Sequence, residues 1–305
     1  MVSKLHFLGT SCMVPTKERN HLSVAFEYEG SMFLFDCGEA TQNQIKTMKL
    51  PIGKIKKIFI SHWHGDHCIG LIGLMLTLSN TEGVDKFEVH GPVGSKTFVD
   101  HMLKCTVTQK RVPVEVFEHN PEEGELLPII DNAKFTISCA RLNHSTPCIG
   151  FRFDEKDVYN IDKEKAQSFG LEQSPMLARA KMGMAIEHEG KTIQPEEITY
   201  LKKGMSLALV FDTRPCVGAD LLAKDVDHLV MEATFSYEKH AHKAEEYDHM
   251  SAKETAEVAQ ANGVKHLIIT HFSQRYKDVK ELEQEARDTF ENTTSTYDLM
   301  TLKLK

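Results

Sequence analysis

The sequence predicts a layered α/β fold. Three observations carry this expectation: short apolar runs recur along the chain, helical stretches separate them, and a cluster of metal-binding side chains directly follows one of the runs. Residues 5–9, 23–28 and 32–36 read as strands, with Glu29-Gly30 as the turn between the last two. Residues 41–48 and 93–103 read as helices, and 87–90, 114–118, 135–142 and 149–153 continue the strand series. From residue 154 to 204 the texture changes. That segment is charged, bears methionines, is poor in β-branched runs and is broken at Pro175, Gly190 and Pro195. It is expected to leave the core, partly helical and projecting. Strands resume at 207–211, 228–231 and 266–270. Ser251-Ala252-Lys253-Glu254 has capping-box spacing and opens a helix to about Asn262. A further helix over 277–290 and a closing strand over 299–304 complete the reading, which finds no internal repeat.

Composition narrows the class. With 305 residues, 41% hydrophobic and 26% charged, the chain has the makeup of a soluble globular protein with a large core. No apolar stretch reaches the roughly 20 residues that span a bilayer, and the start MVSKLHFLGT has no signal-peptide core. The 7 cysteines are odd in number and form no CxxC pair, so a reducing cytoplasm is the expected location. A formal net charge of −8 argues against a generic nucleic-acid coat protein. Lys54-Ile55-Lys56-Lys57 and Lys202-Lys203 are either local basic patches or solvated loops.

The heptapeptide SHWHGDH, residues 61–67, is the most specific signal. It places His62, His64, Asp66 and His67 after a short apolar strand at 57–60 and before an unbroken apolar stretch, 68–78, that reads as one buried helix. A strand-to-helix turn can aim several side chains at one point, and imidazole with carboxylate suits zinc, less exclusively manganese or iron. Three more candidates stand at the C-terminal ends of predicted strands: His144, Asp212 and His271. Singly each is ordinary. Together they make five histidines and two aspartates, and a carboxylate such as Asp212 can offer one oxygen to each of two cations.

The pattern resembles the metallo-β-lactamase superfamily and, within it, the ribonuclease Z branch, whose members trim the 3′ end of precursor tRNA. The resemblance runs through FLGTSCMVPTKERN, FDCGEATQ, SHWHGDHCIGL, LNHSTPCIGF, FDTRPC, MEATF, DHMSA and THFSQRY. It implies one αβ/βα-sandwich hydrolase domain over residues 1–305, with 154–204 as a substrate-binding arm. It further implies two Zn2+ per chain, with Mn2+ or Fe2+ as substitutes. One ion falls to His62, His64 and His144, the other to Asp66, His67 and His271, with Asp212 bridging. Precursor tRNA is the implied substrate and a homodimer the implied assembly. Asp66 doubles as proton acceptor, and His249 is the implied general acid, with Glu232 either its partner or structural. Three positions depart from the pattern: Leu171-Glu172-Gln173-Ser174-Pro175 where relatives carry a Gly-Pro-rich stretch, Phe211 where glycine is usual, and Met250-Ser251 where serine-threonine is usual.

Two competing readings keep the fold. One is a phosphodiesterase for small phosphodiesters such as cyclic nucleotides, favoured by the altered arm and the acidic charge. The other is a non-catalytic RNA-binding protein, disfavoured by the intact ligand set. Elsewhere, His240 and His242 read as a solvated loop, and His6 and His21 lie outside the set. Cys68 reads as core at the start of the apolar helix, and Trp63 as packing beneath the site. Arg275 is placed either to meet a phosphate or to form a structural salt bridge.

Overall fold

A computed structural model describes residues 3–107, 112–171 and 174–304. The chain divides into two compact units, one of residues 1–129, 137–152 and 207–305, the other of residues 130–136 and 153–206. The strands begin with β1 (Lys4–Gly9), β2 (Ser23–Tyr28), β3 (Ser31–Phe35), β4 (Ile55–Phe59), β5 (Phe87–Pro92) and β6 (Val114–His119). Next come β7 (Leu127–Asp131), β8 (Phe135–Arg141), β9 (Ile149–Glu155), β10 (Val158–Ile161), β11 (Ile186–His188), β12 (Lys191–Ile193) and β13 (Thr199–Lys202). The last are β14 (Ser206–Val210), β15 (His228–Glu232), β16 (His266–Thr270), β17 (Thr293–Ser295) and β18 (Met300–Lys303). Early helices are α1 (Thr41–Thr47), α2 (Gly65–Cys68), α3 (Leu71–Ser79) and α4 (Ser95–Lys104). Then follow α5 (Lys163–Ser168), α6 (Leu177–Lys181), α7 (Pro195–Ile198), α8 (Val217–Ala223), α9 (Tyr237–Glu246), α10 (Ala252–Ala261) and α11 (Lys280–Arg287).

Two seven-stranded sheets form, in the orders β18-β1-β2-β3-β4-β5-β6 and β17-β16-β15-β14-β9-β8-β7. In the first, β18, β1, β2 and β3 pair antiparallel, and β3 to β6 run parallel. In the second, β14 to β17 run parallel. Parallel strands covered on both faces must be apolar on both, and β3 and β4 show how. Leu34 and Ile58 join a cluster with Leu71, Leu74 and Leu78 of α3. Phe35 and Phe59 face the other way and meet Phe151 of β9 at ring-centroid distances of 5.7 and 5.3 Å. Each such buried phenyl contributes about 1.5–3 kcal/mol. On the second sheet Val210, Met231 and Ile269 pack with Leu222 of α8 and Ala256 of α10. Helix, sheet, sheet and helix thus layer in that order, the architecture the sequence predicts.

Several predicted bounds move. The apolar stretch 68–78 is two helices, so Cys68 ends α2 rather than opening a helix, although its side chain is buried. At the break the Gly70 N–H leaves the helical ladder and donates to the Cys37 carbonyl at 2.9 Å, an approach open only to glycine, since a Cβ there would lie 1.9 Å from the carbonyl oxygen of Gly38. His240 and His242 belong to α9, kinked at His240, and not to a loop. The helix predicted over 277–290 is the shorter α11, because the Asp278 carboxylate takes the Lys280 N–H and stops the run at that end. Asp36 leaves β3 with φ +52°. Ser251 and Glu254 make the capping box that opens α10.

The second unit holds strand pairs that its polar composition concealed. β10 pairs with β13, and β11 with β12 across a Glu189-Gly190 turn in which both residues have positive φ, a geometry that suits a two-residue hairpin. Leu171, Ala180, Ile186, Ile193 and Ile198 bury themselves as its own small core. Of the altered stretch 171–175, Glu172 and Gln173 lie outside the described residues. Lys203 of the second basic run pairs with Asp157, and Lys57 of the first with Glu88.

Candidate metal centre

The strands deliver their functional side chains at C-terminal ends, where the ladder stops and the chain turns. β4 leads through Ser61 to His62 and His64, and α2 carries Asp66 and His67. β8 ends three residues before His144, β14 two before Asp212, and β16 directly before His271. His271 has φ +62°, an uncommon conformation for a non-glycine residue, and it is fully buried.

Three donor groups result: Glu232, His249 and His271 form one, and the other two share Asp212. Of those two, the first is His62, His64, His144 and Asp212; the second is Asp66, His67, Asp212 and His271. In the first, His64 Nδ1 lies 3.0 Å from His62 Nε2 and 3.2 Å from His144 Nε2, and Asp212 Oδ2 lies 3.6 Å from His62 Nε2. In the second, His67 Nε2 lies 3.2 Å from Asp212 Oδ2 and 3.4 Å from Asp66 Oδ2. His271 Nε2 lies 3.2 Å from Asp212 Oδ1 and 3.6 Å from Asp66 Oδ2. Donors about 2.0–2.1 Å from a tetrahedral ion stand roughly 3.3 Å apart, so both spacings fit a divalent cation.

The surrounding shell fixes which nitrogen each ring presents. His67 Nδ1 donates to Asp36 Oδ2 at 2.7 Å, and Asp36 also accepts from the Ser61 N–H and hydroxyl. The Ser61 hydroxyl lies 3.0 Å from His62 Nδ1. His144 Nδ1 meets the Asp248 carbonyl at 3.0 Å, and His271 Nδ1 meets the Thr234 hydroxyl at 3.0 Å. With Nδ1 engaged, each of these four rings turns Nε2 inward as a lone-pair donor. His67 Nε2, His271 Nε2, Asp66 Oδ1 and Asp212 Oδ1 are buried without a hydrogen-bond partner. Unsatisfied buried polar atoms are costly, and four in one cluster are what a cation-binding shell requires.

Electrostatics agree. Burial pushes the His62 and His64 imidazoles down, favouring their neutral, ligating form. Burial also opposes charge on Asp212, but His271, His67 and His249 outweigh it and hold the carboxyl well below its usual range. Burial likewise opposes charge on His67, where Asp212, Asp66 and Asp36 prevail and raise it well above its usual value. Three buried carboxylates around one imidazole demand positive charge, which a divalent cation supplies.

Beside the cluster, His249 Nδ1 lies 3.1 Å from Glu232 Oε2. Burial disfavours the imidazolium, yet Glu232 and Asp212 raise His249 well above its ordinary value. A cavity of about 510 Å³ opens over the site, lined by His64, Asp66, His144, Asp212 and His249 and walled by Met13, Phe235, Tyr247 and Arg275. Arg275 donates to the Ser273 hydroxyl, sits 5.9 Å from the Phe235 ring centre and makes no ion pair among the described residues. Trp63 donates to Ser95 and stacks on Phe98. His21 Nε2 donates to the Met13 carbonyl, and His6 meets Thr301; neither joins the centre.

All seven candidate ligands therefore converge, together with His249. Sequence reasoning missed Asp36, Ser61, Thr234 and the turn at Met13, whose N–H donates to Asp66 Oδ2 at 2.8 Å. Asp36 alone had a visible signal, an acidic residue ending an apolar run in FDCG.

The metallo-beta-lactamase fold protein YhfI from Bacillus subtilis superposes with a TM-score of 0.68 over 99% of this chain and 98% of its own, at 16% identity. The fold and the donor set define a metal-dependent hydrolase of the metallo-β-lactamase fold. A ribonuclease Z of Bacillus cereus is 39% identical over 301 residues, 96% of each chain. Human tRNase Z, short form, matches with a TM-score of 0.74 and 26% identity over 99% of each chain. A family model described as "Anti-Pycsar protein Apyc1" matches residues 3–196. The chain belongs to the ribonuclease Z family and, over residues 3–196, to the family described as Anti-Pycsar protein Apyc1. No helix among the described residues is long and apolar enough to cross a membrane.

Proposed function

We propose that this protein is a cytoplasmic endoribonuclease that cuts precursor tRNA at its 3′ end, leaving a 3′ hydroxyl. It would hold two zinc ions, one on His62, His64 and His144, the other on Asp66, His67 and His271, with Asp212 between them. The carrying observation is that two donor groups share one buried carboxylate within 4.8 Å clusters, in a chain whose relatives are named ribonuclease Z over nearly their whole length. Bound divalent cations would make water a nucleophile at neutral pH and neutralise charge on the phosphoryl oxygens.

The remaining steps belong to the protein. Asp66, oriented by the Met13 N–H, takes a proton from the attacking water as its oxygen bonds to phosphorus. The bond from phosphorus to O3′ breaks, and His249 gives O3′ a proton, so the products are a 3′ hydroxyl and a 5′ phosphate. Glu232 keeps His249 protonated until then, which general-acid catalysis requires. Residues 154–204 act as the substrate-binding arm of an otherwise single hydrolase domain, and two chains assemble as a homodimer.

A second reading has its own support. The family model named Anti-Pycsar protein Apyc1 spans the site's first half and most of the arm, and residues 153–206 carry more acidic than basic side chains, a poor match for a polyanion. That reading is hydrolysis of a small phosphodiester such as a cyclic nucleotide. One assay separates the two: zinc- or manganese-loaded protein with precursor tRNA, a 3′,5′-cyclic nucleotide and bis(p-nitrophenyl) phosphate. Cleavage at the tRNA 3′ end supports the first reading. Turnover of the small esters alone replaces it with the second.

A further inference from the structure

A second cavity, about 890 Å³, lies on the other side of His144 and shares His144 and Ser145 with the cavity over the metal centre. Its lining differs in kind. Asn120, Arg141, Asn143, Ser145 and Thr146 line it, and among the described residues none of their side chains has a hydrogen-bond or ion-pair partner. Arg141 and Asn143 are exposed, so an unpaired guanidinium and an unpaired amide face a cleft that adjoins the candidate metal site. Glu123 is the one carboxylate on the wall. These polar groups stand open along one cleft, free to exchange water for a ligand rich in phosphate and hydroxyl groups.

Position assigns the ligand. His249 lines the first cavity and not the second. It protonates O3′, so the nucleotide that keeps the new 3′ hydroxyl occupies the first cavity, against Phe235 and Tyr247. The phosphoryl group's other ester oxygen, O5′ of the next nucleotide, is neither attacked nor expelled and continues past His144. We infer that the second cavity receives the single-stranded RNA downstream of the cut, with Arg141 on a backbone phosphate and Asn143 on a sugar or base edge. This rests on the endoribonuclease reading and gives it a direction. A cyclic nucleotide, with no downstream residue, has no use for this cavity.

The test uses the full-length, metal-loaded protein and two precursor tRNAs that differ only in trailer length, a single nucleotide against a longer single strand. The longer trailer is expected to give the lower KM. In Arg141→Glu that advantage shrinks about tenfold or more and approaches none, while elemental analysis finds the wild-type metal content. Asn143→Ala, which adds no charge, reduces the same advantage by less. The downstream product, a 5′-phosphorylated oligoribonucleotide, inhibits the wild type competitively and Arg141→Glu more weakly. Equal KM for both trailers in the wild type, or an undiminished advantage in Arg141→Glu, overturns the inference and leaves the endoribonuclease reading standing. If neither precursor is cut while bis(p-nitrophenyl) phosphate is hydrolysed, that reading fails and the inference falls with it.

Discussion

His249 and Glu232 form a buried pair, with His249 Nδ1 at 3.1 and 3.2 Å from the two carboxylate oxygens. Glu232 is fully buried and also accepts from the Thr213 N–H at 2.6 Å and the Thr234 hydroxyl at 2.5 Å. Thr234 in turn meets His271. One carboxylate thus serves both the proton-bearing imidazole and the outer face of a candidate ligand.

The pair yields the first prediction. Burial lowers the His249 pKa, and Glu232 and Asp212 together more than restore it, so Glu232→Gln should lower it. The protonated form is then lost at lower pH, and the alkaline limb of the pH–rate profile moves to lower pH. Turnover at neutral pH should fall by about tenfold to a hundredfold, and in His249→Ala by roughly a hundredfold or more. Elemental analysis should find metal retained in both. Loss of metal from His249→Ala would mean that this residue holds the site together rather than a proton.

Asp36 gives the second. It touches no expected cation, yet it accepts from His67 Nδ1 and from Ser61. Asp36→Asn keeps the shape but removes the charge that favours the Nδ1–H tautomer. Metal affinity, measured by competition with a chromophoric chelator, should weaken about 10–100-fold. An unchanged affinity would sink the assignment of Asp36 as the group that orients His67.

Two glycines of the same stretch should behave oppositely. A Cβ at Gly70 would lie 1.9 Å from the Gly38 carbonyl oxygen, whereas one at Gly65 would meet nothing within 4 Å. Gly70→Ala must push backbone from backbone and should cost at least about 2 kcal/mol. Gly65→Ala, within the histidine motif itself, should change stability by no more than about 0.5 kcal/mol. Urea unfolding of the two variants checks the contrast, and equal midpoints would refute it.

How far the sequence discloses this molecule depends on the range of the interactions concerned. His62, His64, Asp66 and His67 are legible because a tight turn must bring residues that close in sequence together in space. His144, Asp212 and His271 are legible as strand ends, but their convergence depends on a sheet order that no local pattern carries. Asp36 and Thr234 stay hidden because orienting a ligand takes only an ordinary polar side chain in the right place. The short hairpins β10/β13 and β11/β12 escape because their outward residues are polar and only Ile161, Ile186 and Ile193 mark an inner face. The break at Gly70 is invisible for another reason: its N–H is taken by the Cys37 carbonyl, more than thirty residues earlier.

A last prediction concerns stability and pH at a place remote from the chemistry. His228 and His266 stand opposite each other on neighbouring parallel strands, rings 5.6 Å apart, and His266 Nε2 lies 2.9 Å from the Thr294 hydroxyl. Burial, with the adjacent His228 and Arg287, lowers the His266 pKa to about 4 from an ordinary 6.5. The unfolded chain then binds more protons than the folded one between those values, so stability rises with pH across the window. Its contribution is complete above about 6.5 and lost as the pH falls towards 4. His266→Gln, which keeps a donor for Thr294 but cannot titrate, should flatten the acid side of a plot of unfolding free energy against pH. The variant and the wild type should converge in slope above pH 7. An unaltered slope between pH 4 and 6.5 would place the proton uptake of acid unfolding elsewhere, with His90 and His119, which burial also lowers, as the next pair to remove.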